Sequence, residues 1–92
     1  MIYRRSPQFR KSLNALPKNI QRKVAKAFKL FQDNPQHPSL RIKKIKGIEN
    51  IWEGRIDDFY RFTFEYLKDA ETDETICLFR NIGRHDIIDH AP

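Results

Sequence analysis

From Tyr60 to Tyr66 the chain alternates strictly, with Tyr60, Phe62, Phe64 and Tyr66 in one set and Arg61, Thr63 and Glu65 in the other. A period of two predicts a half-buried strand with an aromatic face and a polar face. The preceding segment, Ile51 to Ile56, behaves the same way: Trp52, Gly54 and Ile56 share one side, Glu53 and Arg55 the other. Asp57-Asp58 between the two predicts a hairpin turn. A further strand is expected from Thr75 to Ile82 after the acidic turn at residues 69–74, and a basic one from Leu40 to Lys46 before the turn Gly47–Asn50.

The first half has a different period. Ile2–Arg5 reads as a short strand. Ser6-Pro7 then supplies an N-cap and a proline suited to the first helical position. Phe9, Leu13 and Leu16 keep helical spacing, and Pro17 begins a second helix. In that helix Ile20, Val24, Ala27, Phe28 and Phe31 make one face, while Lys18, Arg22, Lys26 and Lys29 make another. Asn34-Pro35 ends it. The order β-α-α-β-β-β-β predicts an α+β fold. A helix hairpin packs on one face of a twisted, mainly antiparallel sheet, and the last four strands form a meander. The opposite sheet face is expected to be polar, concave and available.

Composition bounds this picture. A chain of 92 residues accommodates one domain with one modest core, so residues 1–92 are read as a single unit. The lone cysteine, Cys77, lies in the apolar run Ile76–Phe79 and reads as a buried, inert thiol. No signal-peptide core and no apolar run of membrane length are present, so a cytoplasmic protein without a membrane partner is expected.

Charge is distributed unevenly. Residues 1–46 carry 13 Lys/Arg against one acid, Asp33 (net +12), and residues 47–92 carry 5 against 11 (net −6). A basic surface of this kind fits a polyanion or an acidic protein. The three histidines, His37, His85 and His90, lack the spacing of a metal site, and no cofactor is expected.

Three segments together resemble a known family. HPSLRIKKIKG (residues 37–47) is similar to a basic strand ending in a glycine turn. IWEGRIDDFYRFTFEY (51–66) is similar to a hairpin of the form W-x-x-R-(I/V), turn, Y-R. LFRNIGRHDII (78–88) is similar to a last strand, a glycine and a charged segment. In this order they resemble the RelE/ParE superfamily of bacterial type II toxins, over essentially the whole chain. The resemblance implies one of two activities, each restrained by a cognate antitoxin, here expected to be acidic. RelE-like members cleave mRNA, usually on the ribosome, without a metal. ParE-like members inhibit DNA gyrase. A relative that binds antitoxin without toxicity is a third possibility.

Metal-free RNA cleavage needs a base for the 2′-hydroxyl, cations for the phosphorane oxygens and an acid for the 5′-oxygen. By the resemblance, Arg61 contacts the scissile phosphate, which suits its bidentate guanidinium. Arg55 faces the same way as a second candidate. His85 matches the general-acid position, and histidine titrates near neutrality. Arg80 and Arg84 add cations nearby. A lysine serves as a base only where neighbouring cations depress its pKa, and the basic strand supplies them. Among Lys43, Lys44 and Lys46 the preferred base is Lys46, with Lys43 and Lys44 on RNA phosphates; Glu53 and Glu65 are the carboxylates on the arginine side. Gly83 is expected to turn the chain out of the sheet and bring His85 toward Arg61.

Overall fold

The two aromatic-rich strands occupy the middle of a five-stranded mixed sheet in the computed structural model, which describes residues 1–92. The strands are β1 (Ile2–Arg5), β2 (Lys43–Lys44), β3 (Ile51–Arg55), β4 (Tyr60–Lys68) and β5 (Thr75–Arg84), in the spatial order β1-β5-β4-β3-β2. The meander is antiparallel from β2 to β5, and β1 runs parallel to β5 at the far edge. Parallel neighbours need a long crossover, and between β1 and the meander the chain forms helices α1 (Pro7–Asn14) and α2 (Lys18–Asp33). No helix is long and apolar enough to cross a membrane.

The apolar stripes of the helices meet the aromatic face of the sheet in one core. Phe79 of β5 is its hub. Phe28 stacks on it with ring centroids 4.4 Å apart, and Phe9, Phe31 and Phe62 surround it at 5.7, 5.8 and 6.1 Å. Ring pairs at such distances add about 0.5–1.5 kcal/mol each beyond the area they bury. Cys77 lies in this core, and burial pushes its thiol up to about 12, which keeps it protonated and inert.

Ser6 begins α1 where its sequence signal places it. Its hydroxyl accepts the Phe9 N–H at 3.0 Å and donates to the Arg80 carbonyl at 2.7 Å. That carbonyl lies at a β-bulge, where the β4–β5 register jumps from Thr63–Asn81 to Phe64–Phe79 and leaves Arg80 unpaired.

Two local expectations are corrected. The basic segment Leu40–Lys46 is mostly not strand. Pro38–Leu40 forms a short 3-10 turn capped by His37, Arg41 takes a left-handed φ of 46°, and only Lys43 and Lys44 pair with β3. The cause is Leu40, which the turn drives into the core at 1% exposure, at the expense of alternation. The exit from the last strand also differs. Gly83 stays in β5 opposite Arg61 and has no left-handed φ. A Cβ there would sit 2.9 Å from Cγ2 of Ile87, so the glycine makes room for a short helix, α3 (Ile87–His90), that the sequence pattern does not reveal. The chain turns at His85-Asp86 instead.

Two contacts hold the β3–β4 hairpin. Gly54 opposes Phe62, and any Cβ on Gly54 would collide with the fully buried Phe62 ring. At the turn, the Asp57 carboxylate accepts the N–H groups of Phe59 and Tyr60, each at 2.9 Å, and pairs with Lys23 of α2 at 3.0 Å. Burial pushes the Asp57 carboxyl upward, but these hydrogen bonds and Lys23 outweigh it and hold the pKa below its ordinary 3.8.

Gly54→Ala is expected to destabilise the fold by about 1–3 kcal/mol, the usual penalty for forcing volume into a packed core, and urea denaturation measures it. Asp57→Ala is expected to cost about 1–2 kcal/mol at neutral pH through the two N–H groups it strands. Because the folded-state pKa is depressed, this contribution is present above the unfolded value near 3.8 and is lost as pH falls through the lower folded value. The gap between wild-type and Asp57→Ala urea midpoints should therefore close in strong acid.

Candidate functional site

On the sheet face away from α1 and α2, strand register arranges side chains in rows. In one row Lys43 opposes Glu53, Glu53 opposes Thr63, and Thr63 opposes Asn81. In the next, Arg55 opposes Arg61, and Arg61 opposes Gly83. Residues two apart on a strand share a face, so both rows point the same way. His85 falls two positions beyond Gly83, its N–H donating to the Phe59 carbonyl at 2.8 Å.

The rows create a cleft of about 210 Å³ lined by Arg41, Lys43, Glu53, Arg55 and Arg61, with no apolar side chain. Four cations surround one carboxylate. Directly opposed like charges destabilise a sheet, so the Arg55–Arg61 pair needs compensation. Part of it is internal. Nη1 of Arg61 donates to the carbonyls of Asp57 at 2.5 Å and Tyr60 at 3.0 Å, which locks the guanidinium against the turn and leaves Nε and Nη2 without protein partners. Arg55 forms an ion pair with Asp58 at the hairpin tip. Glu53, 13% exposed, lies 4.0 Å from the Lys43 ammonium. The remaining donors converge on the cleft in the manner of an anion site.

Sequence-predicted residues divide into those gathered here and those placed elsewhere. Arg55, Arg61 and Lys43 come together. Lys44 lies on the other face, its ammonium 5.3 Å over the Trp52 ring. Lys46 borders an adjoining depression with Ile48, Ile88 and Asp89, which shares Lys43 and Glu53 with the cleft. Arg80 is engaged by Glu65 at 2.5 Å and by the Pro92 carbonyl at 3.3 Å. Arg84 lies over the Phe59 and Tyr60 rings, 5.4 and 5.9 Å from their centroids. His85 is exposed and beside the cleft rather than in its lining. Arg41 is the residue that sequence reasoning missed. It stands two before Lys43, so alternation held the signal, but its left-handed conformation did not follow from the pattern.

The polar sheet face is less open than expected. Residues 87–92 fold back across β4 and β5. The buried Thr63 hydroxyl donates to the Pro92 carbonyl at 2.6 Å and accepts the Asn81 N–H at 3.1 Å. The Asn81 side chain donates to the Ala91 carbonyl at 2.7 Å and accepts from the Ser12 hydroxyl at 2.8 Å. This leaves the cationic cleft toward β2 and β3 as the exposed part of that face.

No family model matches the chain, and no curated protein matches it significantly. Solved structures do. A chain of the RelB–RelE antitoxin–toxin complex from Methanococcus jannaschii is 26% identical, with all of both chains covered and a TM-score of 0.64. YafQ from E. coli strain BL21(DE3) is 14% identical with a TM-score of 0.71, covering 94% of each chain. A YoeB/ParE toxin from Agrobacterium tumefaciens is 13% identical with a TM-score of 0.70, covering 92% of this chain and 99% of that one. With its five-stranded sheet, its helix hairpin and these structural neighbours, the chain has the fold of the RelE, YafQ and YoeB/ParE toxins.

Proposed function

We propose that this protein is the toxin of a type II toxin–antitoxin pair and a metal-independent endoribonuclease acting on ribosome-bound mRNA. The observation that carries the reading is the opposed pair Arg55–Arg61 in a cleft without apolar lining. A phosphodiester would relieve that repulsion, and the unused nitrogens of Arg61 suit its oxygens. Arg41 and Lys43 extend the grip along the RNA backbone.

Glu53 serves as the base, because it is the carboxylate inside the cleft. It takes the proton of the 2′-hydroxyl, whose oxygen attacks the adjacent phosphorus. The bond to the 5′-oxygen breaks, and His85 protonates that leaving group. The products are a 2′,3′-cyclic phosphate and a 5′-hydroxyl end. Lys46, in its neighbouring depression with Lys44 close by, and the guanidiniums of Arg80 and Arg84 bind flanking phosphates. An antitoxin partner is supported by the RelB–RelE complex among the neighbours, and an acidic one suits the net +12 of residues 1–46.

A ParE-like gyrase inhibitor is the second reading. The position of His85 outside the cleft lining favours it, because gyrase inhibition requires no general acid.

Added to a translation extract, the purified protein is expected to cut mRNA and leave 2′,3′-cyclic phosphate ends, mapped by primer extension and end-specific ligation. His85→Ala and Glu53→Gln should each lower the rate by about 10²–10⁴. Full activity in either variant removes that residue from its role. Intact mRNA together with gyrase-dependent DNA breaks on expression would instead establish the second reading.

A further inference from the structure

One large apolar side chain beside the cationic cleft has no place in the core. Phe59, at the tip of the β3–β4 hairpin, is 55% exposed. Its backbone is held on both sides: the N–H donates to the Asp57 carboxylate at 2.9 Å, and the carbonyl accepts the His85 N–H at 2.8 Å. The Arg84 guanidinium lies 5.4 Å from its ring centroid. The ring is thus presented on an anchored segment, beside a cation, two residues before Arg61 and next to His85. Both acids of the hairpin tip are already paired, Asp57 with Lys23 and Asp58 with Arg55, which lessens their repulsion of an approaching phosphate.

An anchored aromatic beside guanidinium groups is the recurring device for holding an unpaired base of single-stranded nucleic acid, because any base offers a π face to stack on. We propose that Phe59, flanked by Arg84, is a stacking platform for an unpaired RNA base whose neighbouring phosphate lies in the cleft of Arg55 and Arg61. This rests on the RNA-binding part of the function proposed above. It assigns the hairpin tip a task that the cleavage chemistry does not require. The ring orients the strand, and the cleft holds the backbone. Arg84, over the ring, adds a cation–π component.

The test is a fluorescence titration of the full chain with a short single-stranded 2′-O-methyl oligoribonucleotide containing 2-aminopurine, which stacks on an aromatic ring with quenching and cannot be cleaved. The wild type is expected to bind with quenching. Phe59→Ala and Phe59→Leu should each lose the quenching and weaken binding by about 5- to 150-fold, with the salt dependence unchanged. Phe59→Trp should retain both. Arg61→Ala, by contrast, should retain quenching at saturation and reduce the salt slope by about one phosphate contact. Phe59→Leu keeps an apolar side chain at the tip, so loss in that variant reports the ring and not a collapsed hairpin; circular dichroism confirms the fold. If Phe59→Leu binds and quenches like the wild type while Arg61→Ala is weakened, the platform is overturned and RNA binding stands. If the wild type does not bind the oligonucleotide, both fall.

Discussion

The register of the β3–β4 hairpin is the constraint on which the rest depends. Side chains alternate with a period of two, so a slip of one residue would exchange the faces of the whole strand. It would send Phe62 and Phe64 to solvent and Arg61 and Thr63 into the core. The register is held at both ends. Gly54 admits only the Phe62 ring opposite it, and the Asp57 carboxylate closes the turn through two backbone N–H groups while Lys23 ties it to α2. Core packing and cationic cleft are therefore two sides of one pairing, and the aromatic cluster around Phe79 stabilises the placement of the arginines on the opposite face.

The second organising feature is the bulge in β5. It releases Arg80 from the ladder, where Glu65 and the Pro92 carbonyl engage its guanidinium, and exposes its own carbonyl to the Ser6 hydroxyl. Thr63 and Asn81 next to it carry a buried hydrogen-bond network that joins α1, the sheet and residues 91–92. Buried polar groups are tolerable only when satisfied, and no buried side-chain polar atom here lacks a partner. The network fastens the segment that covers the middle of the polar face. The cleft is thereby confined to the side of β2 and β3.

Much of the fold was legible because local signals agreed with one another. The Ser6-Pro7 start, the stripe of α2, the aromatic alternation of β4 and the Asp57 turn each specify one element, and all are consistent with one core. The failures share a cause. Leu40–Lys46 alternates like a strand, yet burying Leu40 through a 3-10 turn wins over extended pairing, and only Lys43 and Lys44 remain in the sheet. Gly83 looks like a turn residue, yet its missing Cβ serves the approach of Ile87. In both, a contact distant along the chain overrode a local preference.

The same division applies to the cleft. Alternation by itself determined that Arg55 and Arg61 share the polar face, because a period of two is written in the order of residues. It also carried Lys43 and, unread, Arg41. Which of the many cations converge was decided only by tertiary structure. Strand pairing set Arg55 against Arg61, the neighbouring face took Lys44 to Trp52, and Glu65 took Arg80. The order of residues states which way each side chain points from its own strand. The distance between charges on different strands depends on register, bulge and turn, and those are settled by packing across the whole sheet.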